Sequence, residues 1–465
     1  MAWKAHKLYD DYPDGFIETI DYKILCCGNI EGNNNKFYAI EIQKNPDTGE
    51  HRIFTHYGRI NTSNVWDYRG PMSLDEAQKE FEKIIKKKLK GKNVKDPDGT
   101  TRREKYELVD TPSPTVGSPN IRGKTTHNVK NNDSARAIVE HAKSKFAPDI
   151  QKLLLQFAQE NIHQITTMTS ISVTANGLET ALGPVTEEHV DRARGALTEI
   201  QKHLINGVAD PTNKDVRLAN NLYYSLIPHD FGRKITQTDW ILDDSKLIQE
   251  FDILDQLAAA VQLGLSDQDN VSDQFNKLDT EIEIASPAVM AQMNKLVEST
   301  KKHGHLSRWR VKNVYEIKIN KERDRFEKAV QRVGNVKEYF HGSQNKNLLS
   351  ITIGGLIIPP HNAGHVTGRM FGDGIYGAAS STKSLNYSVG GWSGQRNKFN
   401  NAFLLRVKFA MGKTYEPNSS IYGGPPSGYH SVSAWARKTG LLNDEFIVYS
   451  LPQCTITHLI ELEER

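Results

Sequence analysis

The chain has 465 residues, of which 37% are hydrophobic and 25% are charged, and its formal net charge is +3. This composition is typical of a folded, soluble protein and excludes a largely disordered chain. The length exceeds what one ordinary hydrophobic core supports, so two or three domains are expected. No apolar run reaches the roughly 20 residues of a membrane-spanning helix, so we expect no membrane partner.

The N-terminal sequence and the cysteines indicate an intracellular protein. Residues 1–15 mix Lys, Asp and Pro without an apolar segment, so no secretory signal is predicted. The 3 cysteines, two of them adjacent at Cys26 and Cys27, fit a reducing compartment rather than a disulfide framework. That compartment is nuclear if the source is eukaryotic and cytoplasmic if it is a bacterium or a phage. No Cys-x-x-Cys spacing occurs and the 16 histidines are scattered, so no metal site is expected.

Positive charge is concentrated in one stretch of the otherwise balanced chain. Its basic residues are Lys83, Lys86, Lys87, Lys88, Lys90, Lys92 and Lys95, followed by Arg102, Arg103, Lys105, Arg122, Lys124 and Lys130. Such a cluster is typical of a surface that binds a polyanion. The alternative is a solvated lysine-rich helix face, and composition leaves both interpretations open.

The first predicted domain, residues 1–110, is small and β-rich. A strand over Phe37–Gln43 is followed by turn residues 45–49 and by a second strand over Arg52–Ile60. The capping-box pair Ser73 and Glu76 then opens a helix, and Gly91 suits its end. The apolar positions of this helix are Leu74, Ala77, Phe81, Ile84 and Leu89.

A linker and a helical domain are predicted next. Residues 111–132 are rich in Pro, Gly and polar residues and have no apolar period, which is typical of a linker. The domain 133–270 is predicted to be an all-α bundle. One of its helices begins at the N-cap Thr186 and has apolar positions Val190, Ala193, Leu197 and Ile200. Another has a buried stripe formed by Leu247, Phe251, Leu254, Ala258 and Val261.

The last domain, residues 271–465, changes to short strands separated by glycine-rich turns. Strands are predicted over Val314–Ile319, Phe403–Phe409 and Phe446–Tyr449. The fold class is therefore multidomain α+β, with a small β-rich domain, an all-α bundle and a strand-dominated α+β domain. No G-x-G-x-x-G follows a strand, so a Rossmann mode of dinucleotide binding is unsupported.

Four short motifs run in order through this last domain. They are His341-Gly342-Ser343, Gly374-Ile375-Tyr376, Lys383–Tyr387 and Asp444–Tyr449, and their flanks are Val366–Gly372 and Leu441–Asp444. Each motif alone is an ordinary turn or strand. Together and in this order they resemble the catalytic domain of the poly(ADP-ribose) polymerases. The resemblance implies an NAD-dependent ADP-ribosyltransferase that uses NAD as co-substrate and needs no metal.

The resemblance also implies how the nicotinamide of NAD is bound. The backbone of Gly342 would pair with its carboxamide, and the Ser384 hydroxyl would donate to the carboxamide oxygen. Tyr387 would stack on the cationic ring, and Tyr376 would line its other side. The residues expected to bind NAD are His341, Gly342, Ser343, Tyr376, Lys383, Ser384 and Tyr387.

The catalytic residues implied by the resemblance are His341, Tyr376 and Glu445. His341 would hydrogen-bond the adenosine-side ribose and anchor the remote half of NAD. Glu445 would stabilise the positive charge that develops on the reacting ribose and would polarise the acceptor hydroxyl.

The earlier domains resemble the other parts of these polymerases. Tyr57-Gly58-Arg59 resembles the naming tripeptide of the WGR domain, a nucleic-acid-binding module, with Tyr in place of Trp. Tyr57 would then pack against sugar at a DNA end, and Arg59 would reach toward the DNA. Lys86 and Lys87 are expected to bind DNA with them.

The helical segment carries two phrases, Leu226–Gly232 and Gly177-Leu178, that resemble the regulatory domain of the family. That domain caps the NAD site until DNA binding loosens it. His229 and Asp230 within the first phrase are expected to be structural.

Several positions depart from the family pattern. Asp373 stands where the family usually has Lys, Gly377 where it often has Phe, and Ile357 where many members place Arg. Asn443 and Asp444 also differ from the residues that usually precede the catalytic Glu. The stretch that leads from the nicotinamide-binding motif to this Glu is shorter than in the best-known members, which argues against long products. The retained Glu445 argues for chain formation, so the choice between poly and mono transfer stays open.

The sequence therefore predicts an ADP-ribosyltransferase that is activated by DNA breaks and acts in the DNA damage response. Its expected partners are DNA ends and acceptors that include other proteins, itself or a DNA terminus. One alternative is a DNA-end-binding scaffold with an inert NAD-binding domain, against which the presence of His341, Tyr376 and Glu445 speaks. The other is a DNA-independent mono-ADP-ribosyltransferase.

Overall fold

The structure is a computed structural model. It describes residues 15–16, 18–29, 34–59, 65–95, 101–108, 145–174, 177–180, 183–231, 235–265, 275–276, 278–302, 304, 308–358, 370–390, 400–421 and 423–464. The predicted linker, residues 111–132, and the flank residues 366–369 lie outside these ranges.

The N-terminal segment folds as an antiparallel sheet with one helix packed on it. Its elements are β1 (Glu18–Asn29), β2 (Asn34–Lys44), β3 (His51–Arg59), β4 (Val65–Met72), α1 (Leu74–Lys90), β5 (Lys92–Lys95), β6 (Thr101–Glu104) and β7 (Glu107–Leu108). The sheet order is β4-β3-β2-β1-β7, and β5 pairs with β6. The two predicted strands are confirmed as β2 and β3, which pair across the predicted turn.

Helix α1 begins at the predicted capping box. The Ser73 hydroxyl accepts a hydrogen bond from the Glu76 N–H at 3.3 Å, and the Glu76 carboxylate accepts one from the Ser73 N–H at 2.9 Å. Gly91 caps the C-terminal end with a φ of 74°. The apolar face of α1 packs on the sheet in one core that contains Leu25, Tyr38, Ile40, Ile42, Ile53, Ala77, Phe81 and Ile84.

In the part of the helical segment that the structure describes there are four α-helices and some short strands. The helices are α2 (Pro148–Met168), α3 (Glu187–Lys202), α4 (Lys214–Leu226) and α5 (Asp244–Leu263). Helix α3 begins at the predicted N-cap Thr186, and its predicted apolar positions are buried. A small sheet of β8 (Ser172–Thr174), β9 (Gly177–Thr180) and β10 (Gly183–Pro184) and a hairpin of β11 (Leu204–Ile205) and β12 (Val208–Ala209) were not predicted. These strands are too short to show an apolar period.

Helix α5 is buried over more of its surface than the predicted stripe. Leu247, Phe251 and Leu254 are buried as predicted, whereas Ala258 and Val261 are only half-buried. The buried face includes other residues instead, namely Ile253, Gln256, Leu257, Ala259, Ala260 and Leu263. A helix with neighbours on several sides loses the simple one-sided pattern on which the prediction was based.

The C-terminal segment is built around one large sheet. Its elements are β13 (Thr280–Ile284), α6 (Pro287–Ser299), β14 (Trp309–Ile319), α7 (Asn320–Val333), β15 (Val336–Gly342), α8 (Leu348–Gly354), β16 (Ile375–Ala378), α9 (Ser381–Ser388), β17 (Asn401–Ala410), β18 (Thr414–Tyr415), β19 (Ser431–Ala434), α10 (Ala436–Thr439), β20 (Glu445–Val448) and β21 (Cys454–Glu464). The 9 strands follow the order β13-β14-β21-β17-β15-β16-β20-β19-β18. The three predicted strands are confirmed as parts of β14, β17 and β20.

Internal contacts divide the chain into two compact units. One comprises residues 1–134, 165–243 and 264–268, and the other comprises residues 135–164, 244–263 and 269–465. In the first unit α4 lies beside β1. In the second unit the ring of Phe157 on α2 meets Phe403 on β17 edge-on, with centroids 5.1 Å apart. The helical segment therefore contributes to both units, and the domain boundaries given above stay a prediction.

Candidate active site

Adjacent strands of the large sheet carry the three predicted catalytic residues. His341 lies on β15, Tyr376 on β16 and Glu445 on β20, and β16 pairs with both of the other strands. The Nδ1 of His341 donates a hydrogen bond to the Tyr376 carbonyl at 2.8 Å. Ala378 stands opposite Phe340 on one side and opposite Glu445 on the other. The sheet thus brings an imidazole, a phenol and a carboxylate into one region.

The imidazole of His341 is neutral in this setting. Burial lowers its pKa, although the hydrogen bond to the Tyr376 carbonyl opposes that shift. Because Nδ1 carries the proton that this carbonyl accepts, Nε2 is left as the acceptor of the neutral ring. The ring can therefore accept a hydrogen bond from a ligand hydroxyl, which is the role expected for His341.

Helix α9 packs against β15 at the first motif, and only a glycine allows this contact. A Cβ on Gly342 would lie 1.8 Å from the Ser384 carbonyl oxygen. The Ser384 hydroxyl donates to the Phe340 carbonyl at 3.0 Å, so its proton already has an acceptor. The predicted nicotinamide-binding residues on β15 and α9 are therefore in direct contact. The predicted donation from Ser384 to a carboxamide would require this hydroxyl to exchange partners.

Lys383 and Glu445 form an ion pair between α9 and β20. Burial lowers the pKa of the Lys383 ammonium, but the neighbouring Glu445 carboxylate outweighs burial and leaves that pKa above its ordinary value. The Lys383 ammonium also lies 5.7 Å from the centre of the Tyr387 ring. Glu445 is only 4% exposed, and its second oxygen, Oε2, has no hydrogen-bond partner among the described residues.

The two aromatic residues expected beside nicotinamide differ in how they are held. The Tyr376 hydroxyl donates to the Gly372 carbonyl at 2.7 Å and accepts from the Phe371 N–H at 3.1 Å, so its ring is fixed at both ends. Tyr387 is half-buried, and burial raises the pKa of its phenol. The phenol of Tyr387 is therefore neutral, and Tyr376 packs against a buried cluster that contains Phe371, Val432 and Ile447.

Ser343 completes the set of residues expected to bind NAD. It is half-buried, and its hydroxyl accepts a hydrogen bond from Asn347 at 3.3 Å. Asn347 carries no family motif in the sequence analysis, and the only signal for it is the four-residue spacing from Ser343. Tyr449, the last residue of the Asp444–Tyr449 motif, donates its hydroxyl to the carbonyl of Phe371, whose N–H donates to the Tyr376 hydroxyl.

Two departures from the family pattern have a structural explanation. Asp444 caps α10, because its side chain accepts a hydrogen bond from the Ala436 N–H at 2.9 Å. Gly377 faces aromatic side chains, since a Cβ there would lie 2.8 Å from the Cβ of Tyr339 and 2.9 Å from the Phe409 ring. The space that a larger residue 377 would fill is therefore occupied from the neighbouring strands β15 and β17.

The predicted DNA-binding residues lie on β3 and α1. The half-buried Tyr57 stacks on Tyr38 with ring centroids 5.2 Å apart. Arg59 is the last residue of β3. Lys86 and Lys87 are exposed on α1, and neither has an ion-pair partner in the part of the chain that the structure describes.

Lys88, in the same basic stretch, is placed differently. Its ammonium lies 3.7 Å from the centre of the Tyr38 ring, 4.8 Å from that of Tyr106 and 5.7 Å from that of Tyr57. Cation–π contacts of this kind are favourable. Lys88 is therefore part of the internal packing of the domain, in contrast to the two exposed lysines before it.

No group of three or more His, Cys, Asp or Glu is arranged to hold a metal ion within the described ranges. The cysteines Cys26, Cys27 and Cys454 are buried and form no disulfide, and burial raises the pKa of the Cys26 thiol to about 12. Of the helices that the structure describes, none is both long and apolar enough to cross a membrane.

Three family models match the chain in order. The WGR domain matches residues 23–99, the poly(ADP-ribose) polymerase regulatory domain matches residues 144–281, and the poly(ADP-ribose) polymerase catalytic domain matches residues 290–440. The catalytic match includes His341, Tyr376 and Lys383, and it ends five residues before Glu445. Together the matches confirm the resemblance, the fold class and the enzyme class that the sequence predicts.

Similar proteins are found over most of the chain. Protein mono-ADP-ribosyltransferase PARP3 of Homo sapiens is 24% identical over 92% of this chain and 77% of its own length. Poly [ADP-ribose] polymerase 1 of Gallus gallus is 26% identical over 69% of this chain but only 34% of its own length. Poly [ADP-ribose] polymerase of Drosophila melanogaster is 25% identical over 95% of this chain and 45% of its own length. This chain thus spans less than half of the last two relatives.

The order of the three matches follows the order of the three predicted domains. The strands and helices that carry the catalytic motifs lie within or directly beside the third match. The chain therefore belongs to the poly(ADP-ribose) polymerase family, and its C-terminal domain is an NAD+ ADP-ribosyltransferase domain.

Proposed function

We propose that this chain transfers ADP-ribose from NAD to proteins, including itself, or to a DNA end, and that broken DNA stimulates the transfer. The observation that carries the proposal is the Glu445 carboxylate, buried beside Lys383 with one oxygen available as an acceptor. A buried polar atom without a partner is costly, and a hydroxyl of a bound ligand would satisfy it.

The residues of β15, β16 and α9 suit the two ends of NAD. Gly342 has no side chain where the backbone meets α9, and Tyr376 and Tyr387 supply neutral aromatic surface for a cationic ring. The neutral imidazole of His341 supplies an acceptor for a ribose hydroxyl. These residues bind and orient the dinucleotide in our proposal.

Bound NAD supplies a glycosidic bond whose cleavage releases neutral nicotinamide and leaves positive charge on the ribose. The Glu445 carboxylate stabilises that charge and accepts a hydrogen bond from the attacking hydroxyl. Lys383 holds the carboxylate in place through its other oxygen. The burial of the Glu445 carboxylate strengthens its electrostatic effect on a nearby charge.

The N-terminal domain would bind the DNA. Tyr57 has a π face for a sugar or base, and the exposed Lys86 and Lys87 supply charge for phosphates. The WGR match supports this role. Because the relatives named above come from animals, we propose a nuclear enzyme of the DNA damage response.

A second candidate is a mono-ADP-ribosyltransferase that does not need DNA. The human relative, which the chain matches over 92% of its length, is named a mono-ADP-ribosyltransferase. The stretch between α9 and β20, which is shorter than in the best-known members of the family, also favours short products. It leaves less chain to hold a growing polymer. The DNA-binding scaffold with an inert domain is the third candidate.

One assay separates the candidates. The purified full chain is incubated with labelled NAD without DNA, with a nicked duplex and with a blunt duplex, and the products are resolved on a gel. Incorporation that rises with broken DNA supports our proposal, and the length of the labelled product decides between mono and poly transfer. Equal incorporation with and without DNA supports the second candidate. No incorporation under any condition supports the scaffold.

A further inference from the structure

Asn347 connects helix α5 to the candidate active site through two hydrogen bonds. The Gln256 side chain donates from Nε2 to the Asn347 Oδ1 at 3.2 Å. Asn347 in turn donates from Nδ2 to the Ser343 Oγ at 3.3 Å. Ser343 directly follows Gly342, and all of these residues lie in the same compact unit. An amide on a regulatory helix is thus two hydrogen bonds away from a residue expected to bind NAD.

The direction of these two hydrogen bonds is set by the first donor, the Gln256 side-chain amide. A side-chain amide has a donor end and an acceptor end. Because the acceptor end of Asn347 receives the Gln256 N–H, its donor end faces Ser343. The Ser343 hydroxyl is therefore an acceptor toward Asn347. Since a serine hydroxyl has a single proton, that proton remains for another acceptor.

We propose that Asn347 and Gln256 are positioning residues that direct the Ser343 proton toward an oxygen of the bound dinucleotide. The proposal rests on the proposed function, because it concerns binding of NAD. Without Gln256 the Asn347 amide can rotate and present its oxygen to Ser343. The Ser343 proton would then be used within the protein and lost to the ligand.

Other contacts hold the same turn in place. The orientation of the Asn347 amide can therefore be tested separately from the anchoring of the turn. Asn345 donates to the Asn401 carbonyl at 3.2 Å, and Lys346 lies 3.8 Å from Asp252 on α5. These contacts fix the 3₁₀ turn Asn345–Asn347 against β17 and α5. A variant at Asn347 that keeps its shape therefore changes the polarity of one hydrogen bond while the turn stays anchored.

The sharpest variant is Asn347→Asp. The introduced carboxylate still accepts from Gln256, but it can only accept from Ser343 and so captures the Ser343 proton. We expect KM for NAD to rise about three- to tenfold with kcat little changed, as for the loss of one neutral hydrogen bond to a ligand. Gln256→Met removes the first donor and should raise KM by a smaller factor. Ser343→Ala should raise KM as Asn347→Asp does.

The controls distinguish the direction of the hydrogen bonds at Asn347 from the packing of helix α5 against the turn. Asp252→Asn breaks the ion pair between the same helix and the same turn, and we expect it to leave KM unchanged. Asn347→Asp in a Ser343→Ala background should add no further rise in KM, because the proton that it captures is already absent. The dissociation constant of the non-cleavable analogue carba-NAD, measured by calorimetry on each full-length variant, should follow KM.

Failure of this inference can be distinguished from failure of the proposed function. If the parent chain incorporates no label from NAD, the proposed function fails, while the carba-NAD titration still tests the positioning role. If the parent is active but Asn347→Asp keeps the parental KM and carba-NAD affinity, the inference is overturned. It is also overturned if Asp252→Asn weakens carba-NAD binding as much as Gln256→Met does, since the helix then acts by anchoring alone.

Discussion

The Lys383 ammonium holds one oxygen of the Glu445 carboxylate, and the other oxygen of that carboxylate is buried with no hydrogen-bond partner among the described residues. The packing of α9 on β15, β16 and β17 places Lys383 beside Glu445, the first residue of β20. This arrangement fixes the carboxylate and leaves one acceptor for a ligand.

Glu445→Gln should keep NAD binding and lose transfer. The amide has the shape of the carboxylate but no negative charge, so it cannot stabilise the charge on the ribose or act as a base. We expect the rate of label incorporation to fall by about 10²-fold or more, with carba-NAD affinity close to that of the parent. The matched control is Glu416→Gln, which removes the surface ion pair with Lys438 at 2.5 Å and should leave the rate unchanged. Equal automodification by Glu445→Gln and the parent would reject the catalytic assignment.

Gly342→Ala should destabilise the catalytic domain. The added Cβ would meet the Ser384 carbonyl oxygen at 1.8 Å, so α9 must move away from β15. We expect the free energy of unfolding to fall by about 1–3 kcal/mol or more, together with a loss of NAD binding, as measured by thermal unfolding and calorimetry. Gly195→Ala on α3, where an added Cβ meets nothing within 4 Å, should leave the protein as stable or slightly more stable. Equal melting temperatures for both variants would contradict the close packing.

Tyr57 should set the affinity for DNA ends. Tyr57→Ala removes a stacking surface worth about 1–3 kcal/mol per contacted base, so the dissociation constant of a blunt duplex should rise accordingly in fluorescence anisotropy. Tyr57→Trp enlarges the surface and should strengthen binding. The control Tyr68→Ala removes a half-exposed tyrosine from β4 and should have little effect. An unchanged affinity for Tyr57→Ala would show that β3 does not contact the DNA end.

Lys86 and Lys87 should contribute to DNA binding through phosphates. Replacing both with Gln should lower affinity for all duplexes alike and reduce the slope of log K against log salt by up to about 0.9 per lysine that contacts a phosphate. The control is Lys328→Gln on α7, a residue of the catalytic domain. A slope that does not change with the double variant would favour the solvated helix face that the composition left open.

Stability should fall on mild acidification because of His56. Burial lowers the pKa of His56 to about 4 in the folded protein, whereas the unfolded chain takes up the proton near 6.5. The unfolded state thus binds more protons between these values, and the free energy of unfolding decreases as pH drops from 6.5 toward 4. Burial also lowers the pKa of His341, which acts in the same direction. Melting temperatures at pH 7 and pH 5 should differ less for His56→Gln than for the parent; an equal difference would reject His56 as a source of the acid sensitivity.

Local signals in the sequence were sufficient for much of the fold. The capping box at Ser73 and the N-cap at Thr186 mark two helix starts correctly, because a cap is formed by residues three positions apart. The short strands β8–β12 were missed, since two to four residues show no period. The burial of α5 was also incomplete in the prediction, because its neighbours come from distant parts of the chain.

The sequence identifies residues of the candidate site but does not show how they are arranged in space. The motifs identify His341, Tyr376 and Glu445, and their roles stay predictions. The ion pair between Lys383 and Glu445 depends on how α9 packs on β15, β16 and β17, which no local pattern shows. The same holds for Asn347, whose importance follows from the direction of two hydrogen bonds.

Gly377 lies where two neighbouring strands leave no room for a side chain. Its missing side chain is compensated by Tyr339, whose ring stacks on Phe446 with centroids 4.1 Å apart, and by Phe409. A Phe at residue 377 would force these rings out of place. Position-by-position transfer of inhibitor contacts or mutational effects from relatives to this side of the sheet is consequently unsound.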